Sequence, residues 1–131
     1  MQLIFFLALA ALLFGTAFLY NRLVRGRNRV ETAWSDIDVQ LQRRHDLVPK
    51  LVAAVDQYAK YERATLTAVA ELRAQAMHAA GMSARGAAEQ NLSQGVSKLI
   101  ALAENYPDLK ANENFLQLQK ELVETENYLQ F

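Results

Sequence analysis

The side chains with the most capacity for chemistry lie together between positions 36 and 46: Asp36, Asp38, Gln40, Gln42, Arg43, Arg44, His45 and Asp46. An imidazole among carboxylates is raw material for proton transfer or for a metal centre. The spacing argues against the metal. Helical metal sites use Glu-x-x-His pairs, which project both ligands from one face a turn apart, whereas His45 and His78 are each preceded three positions back by a glutamine, Gln42 and Gln75. The sequence contains no His-Glu-x-x-His, no phosphate-binding glycine loop and no Gly-x-Gly-x-x-Gly. It contains no cysteine, so disulfides, thiolate catalysis and Cys-based zinc sites are excluded together. The other carboxylates and lysines fall on polar helix faces, where a solvated charge is the ordinary outcome. No catalytic residue, cofactor site or metal ligand is expected, and the chain is expected not to be an enzyme.

What remains is a structural use for the cluster. Arg44 falls on an apolar seam, so it must snorkel to water, pair with a carboxylate or face another chain. The plainer outcome is a surface set such as Arg43–Asp46 at i,i+3, worth about a few tenths of a kcal/mol. The sharper one is a polar layer that sets specificity between helices or protomers. Nucleic acid is not an expected partner: 14 basic and 14 acidic residues balance, and the basic residues are not interleaved with exposed aromatics.

These residues need elements to position them, and the sequence points to helices throughout. The chain is rich in Ala, Leu, Gln and Glu, with 2 prolines and 5 glycines among 131 residues. From Leu3 to Tyr20 it reads LIFFLALAALLFGTAFLY, without a charge. Spanning about 30 Å of hydrocarbon takes roughly 17–25 helical residues, so the run suffices for one transmembrane helix. A cleaved signal peptide is the alternative, but only Met1 and Gln2 precede the run, and Gly15, Thr16 and Ala17 make a weak cleavage site. Arg22, Arg25, Arg27 and Arg29 follow at once. The positive-inside rule then leaves these arginines and everything after them in the cytoplasm, with the N-terminus outside. Residues 1–20 are thus expected to be the anchor and 21–131 the helical domain.

Beyond the arginines a seam recurs at steps of four and three: Val30, Trp34, Ile37, Leu41, Arg44, Val48, Leu51, Val55, Tyr58, Glu62, Thr65, Val69, Leu72 and Ala76. A helix burying one face produces this pattern and a strand does not. Trp34, Ile37, Leu41, Arg44, Val48 and Glu62 are the expected helix–helix interface, with Trp34, Tyr58 and Tyr61 as core anchors. Unbroken from Asn21 to Ala80, the helix would reach about 90 Å, so an interruption is expected. Pro49 supplies a kink, because it has no N–H to bond back to His45. A kinked helix and two helices meeting near Asp46–Pro49 both fit. Gly81, Ser83 and Gly86 mark a loop. A second amphipathic helix carries Leu92, Val96, Leu99, Ala103 and Tyr106 and closes at Pro107. A third begins near Asn112 or Asn114, presents Phe115, Leu118, Leu122 and Leu129, and runs to Phe131 without a stop signal.

Two long strings carry a resemblance. YNRLVRGRNRVETAWSDIDVQLQRRHDLVPKLVAAVDQYAKYE, from Tyr20 to Glu62, resembles the opening block of the LemA family, and NYPDLKANENFLQLQKELVETEN, from Asn105 to Asn127, resembles its second block. The resemblance implies an all-α, single-pass protein of the bacterial inner membrane with an up-and-down helical bundle of the four-helix type. Its molecular role in the family is poorly defined, and it implies no cofactor. Similar chains continue into a last helix rich in Tyr-Asn pairs. Here that helix is expected to be missing or supplied by another protomer.

The residues and the resemblance together favour a membrane-anchored scaffold or assembly subunit whose partners are the lipid bilayer and either further copies of itself or other membrane-associated proteins. The alternative is a membrane-tethered signalling or regulatory adaptor in which Pro49 is a two-state element.

Overall fold

The computed structural model describes residues 1–130, and all regular structure among them is helical. In chain order the helices are α1 (Gln2–Asp56), α2 (Arg63–His78), α3 (Met82–Ala103), α4 (Pro107–Lys110) and α5 (Glu113–Leu129). They fall into two units, Met1–Asp38 and the residues from Val39 onward. The expected end of the third amphipathic helix at Phe131 lies outside the described residues.

The first unit is helical from Gln2 onward and exposed along nearly its whole length, as is every residue of the apolar run Leu3–Tyr20. This stretch is long and apolar enough to cross a membrane, with none of its most apolar window buried. Thr16 Oγ1 donates to the Leu13 carbonyl at 2.9 Å, so its hydroxyl is satisfied within the helix. The four arginines of the flank are exposed, and Arg25 Nε bonds the Asn21 carbonyl one turn back at 3.2 Å.

The second unit has one apolar core, drawn from all its helices: Leu47, Val48, Leu51 and Val55 of α1, Leu66 and Val69 of α2, Leu92, Val96 and Leu99 of α3, Leu109 of α4, and Phe115, Leu118 and Leu122 of α5. The seam accounts for Val48, Leu51, Val55 and Val69, with Leu47 and Leu66 beside it, but not as one helix. Helix α1 continues through Pro49 to Asp56, so the structure does not place a helix junction at Asp46–Pro49. The break falls at residues 57–62, which carry neither glycine nor proline. Its reason is tertiary. A stripe of Val48, Leu51 and Val55 has no partner along its own axis, and reversing the chain lets Leu66 and Val69 cover it. Ala59 is fully buried in the reversal, and the amides of Tyr58 and Ala59 bond the Val55 carbonyl at 3.0 and 2.9 Å.

Four expected positions differ, the first three because of this reversal. Tyr58 and Tyr61 are not core anchors: Tyr61 is 98% exposed, and the Tyr58 hydroxyl accepts from Asn112 Nδ2 at 3.1 Å. Glu62 leaves the seam for the N-cap position of α2, where its carbonyl accepts from the amides of Thr65 and Leu66. Trp34, in the first unit, is 40% exposed.

The remaining boundaries have local causes. Gly81 alone has a positive φ among the described residues, +85°, and it turns the chain from α2 into α3. Ser83 and Gly86, expected in the loop, are already helical. Pro107 opens α4 at a position where its missing N–H costs nothing. Asn112 caps α5, its Oδ1 accepting from the Phe115 amide at 3.0 Å. Phe115, Leu118 and Leu122 are buried as the spacing predicts, and Leu129 is half-buried.

Helices α2 and α3 approach closely at Gly95. A Cβ there would lie 2.7 Å from Leu72 Cδ1 and 3.5 Å from Val69 Cγ2. Alanine gains about 1 kcal/mol of helix propensity, and the terminal methyl of half-buried Leu72 can rotate aside. Gly95→Ala is therefore expected to be close to neutral. Gly95→Leu should lose about 1–3 kcal/mol through overpacking. Urea unfolding of the detergent-solubilised chain, followed by helical circular dichroism, would separate the two, and equal stability of both variants would contradict this close approach.

Candidate functional site

Successive residues of α1 organise the largest buried polar cluster. Arg44 and His45 are both buried, at 4% and 6% exposure, although their side chains diverge from the helix. Arg44 Nη1 lies 3.4 Å from Glu89 Oε2 on α3. Its Nη2 bonds the Ser93 hydroxyl on α3 and the Glu126 carboxylate on α5. His45 Nε2 lies 2.6 Å from the other oxygen of Glu89, so that one carboxylate bridges both side chains. Ser93 Oγ sits 3.2 Å from each Glu126 oxygen and from the Glu89 carbonyl of the preceding turn.

The fourth helix joins through the backbone. Arg73 Nε of α2 donates to the His45 carbonyl at 2.6 Å. This is the carbonyl to which the amide of residue 49 would bond in an ordinary helix, and residue 49 is proline. Pro49 frees the acceptor and Arg73 takes it, so the break in the hydrogen-bond ladder becomes a tie between α1 and α2. Two buried atoms a turn apart on α1, Gln40 Oε1 and Arg44 Nε, have no hydrogen-bond partner among the described residues.

Physically, the arrangement can hold helices in register. The Glu89 and Glu126 carboxylates share the Arg44 guanidinium, and the His45 imidazole and Ser93 hydroxyl are turned inward onto those same groups. Among the described residues no group of three His, Cys, Asp or Glu side chains could hold a metal ion. Arg43, at the surface, is oriented toward α5 rather than Asp46, with Glu121 at 3.7 Å and Glu124 at 3.9 Å. Asp46 instead accepts from Gln42 Nε2 at 3.0 Å. Exposed pairs such as Arg43–Glu121 contribute at most about 1 kcal/mol.

Of the expected interface residues, the structure brings together Leu41, Arg44 and Val48, all buried in the second unit. Trp34 and Ile37 belong to the first unit, and Glu62 is half-buried at the start of α2. Arg22, Arg25, Arg27 and Arg29 lie in the first unit, and Pro49 is exposed on α1. Sequence reasoning resolved the Arg44 dilemma only to three options; pairing with carboxylates is the one the fold uses. It missed Arg73, Glu89, Ser93 and Glu126. A signal existed for Glu89, which lies three residues before Leu92 on the Leu92–Val96–Leu99 stripe of α3, a charged residue on an apolar face like Arg44 itself.

Two outcomes follow. Arg44→Met should destabilise the chain by about 3–5 kcal/mol, because it strands the buried Glu89 carboxylate, and the half-buried Glu126, without their cation. Adding Glu89→Gln should recover part of the loss in urea unfolding, and a purely additive double variant would refute the coupling. Arg73→Met should cost about 1–3 kcal/mol by orphaning the His45 carbonyl. In a Pro49→Ala background, where an amide is restored, the same substitution should cost measurably less, as a double-mutant cycle would read out.

A search of curated proteins finds no match to this chain. A family match covers residues 33–131, which contain the entire polar cluster, the last part of α1 and helices α2 to α5. Over that span the chain fits the LemA family description, and it belongs to the LemA family.

Proposed function

We propose that this LemA family member is a single-pass, membrane-anchored helical scaffold or assembly subunit without catalytic activity. One observation carries the reading: the exposed, uncharged run of α1 belongs to the same helix whose residues Arg44 and His45 tie together α2, α3 and α5. The anchor thus leads directly into the strut around which the other helices assemble. The proposed membrane is the bacterial inner membrane, with the N-terminus outside. The exposed arginines at 22, 25, 27 and 29 support a cytoplasmic helical domain, since basic flanks are retained on that side.

The proposed arrangement of the domain is up-and-down. Arg44 with Glu126 and Tyr58 with Asn112 are consistent with α1 and α5 running in opposite directions. His45 with Arg73 and the short reversal at 57–62 support the same for α1 and α2. A non-catalytic role is supported by the use made of the histidine, arginine and serine of the cluster: they face neighbouring helices and are engaged there. Partners of such a scaffold are further copies of the chain or other membrane-associated proteins.

Full-length protein extracted in detergent is expected to elute as an oligomer or in complex, with mass read by light scattering. A strict monomer that co-purifies with nothing would remove the assembly reading. In right-side-out vesicles the domain beyond Arg29 is expected to resist external protease until the vesicles are opened; cleavage in intact vesicles would reverse the orientation.

A further inference from the structure

The membrane-proximal half of α1 carries an apolar stripe that nothing in its own unit covers. Val30 is 58% exposed, Trp34 40% and Leu23 72%, with half-buried Ile37 completing the spacing. The unit to which they belong contains one helix and no second element. The same seam continues into Leu41 and Arg44, which the second unit buries. The stripe is therefore the open end of a seam that is closed further along.

We propose that residues 23–37 pair with the same segment of a second copy, as a parallel, in-register two-helix coiled coil just outside the bilayer. This rests on the membrane-anchored assembly reading and names the contact. The steps of seven, four and three from Leu23 through Val30 and Trp34 to Ile37 are those of seam positions in a heptad. Arg27 occupies the remaining seam position, and Arg22, Arg25, Arg29 and Asp36 fall on the outer face.

The charges beside the seam choose the direction. On one side stand Glu31 and Asp38, on the other Gly26 and Ala33. Parallel pairing sets each acidic residue against a small neutral one. Antiparallel pairing sets acidic against acidic, a like-charge contact that is destabilising. Anchors sharing one bilayer impose the parallel direction independently, and they confine the copies so that few seam layers suffice. Arg27 facing its counterpart weakens the seam but fixes the register, as a polar seam residue does, and its stem lets the guanidinium reach water.

The absence of native cysteine makes the test direct. Single variants Val30→Cys and Ile37→Cys at the seam, and Arg29→Cys and Asp36→Cys on the outer face, are oxidised in native membranes. Disulfide-linked dimer is then read on denaturing gels. The seam sites are expected to cross-link severalfold more than the outer ones, and Ile37→Lys added to Val30→Cys should abolish the dimer band while helix content is retained. Uniform cross-linking, or an excess at the outer sites, overturns the proposal. If the wild type is oligomeric by light scattering but the seam sites stay uncross-linked, this contact is wrong and the assembly reading stands. A wild type that is strictly monomeric and co-purifies with nothing removes both, whereas a single copy in complex with another protein overturns this contact alone.

Discussion

A charge placed on an apolar seam has to be answered, and the second unit is organised around that answer. Burying a guanidinium without partners is prohibitive. Arg44 is acceptable at its depth because Glu89, Ser93 and Glu126 converge on it from two other helices. Each of those residues is useful only if its helix has the right rotation and axial position, so satisfying one side chain restricts α3 and α5 together. His45 extends the restriction, its ring to Glu89 and its carbonyl to Arg73. Buried ion pairs of this kind add little net stability compared with a well-packed apolar alternative. Their value lies in making misregistered packings worse, since a shifted helix would leave a buried charge unmatched.

Pro49 fits the same logic. Inside a helix, a proline removes one hydrogen bond and leaves a carbonyl without a donor. In α1 the helix runs on, and the freed carbonyl is used between helices. A local defect is thereby converted into a long-range constraint, linking residues 28 positions apart. The apolar core around Leu51, Val55, Leu92, Leu99 and Phe115 supplies the driving force for collapse. The polar ties select which collapsed arrangement is occupied.

The two units divide the labour of α1. In the second, its seam is consumed by the chain's own helices. In the first, the same periodicity continues on a helix with no covering element in its unit. An exposed apolar stripe on such a helix is a surface suited to another helix.

Periodicity alone determined the helical class, the apolar run at Leu3–Tyr20, the buried faces of α3 and α5, and the burial of Leu41 and Val48, because each depends on the side chains within a turn or two of one another. The sequence likewise announced that Arg44 needed a partner. It did not identify the partner, since Glu89 and Glu126 are 45 and 82 residues away and only folding brings them near. The boundary at 57–62 was hidden for the same reason: no glycine or proline marks it, and a continuous helical pattern runs across it. Tyr58 and Glu62 left the seam when the chain turned there, and Tyr61 was left exposed. Local chemistry fixed what each segment is; the need to cover one apolar face with another, and to match every buried charge, decided where the helix stops and which residues meet.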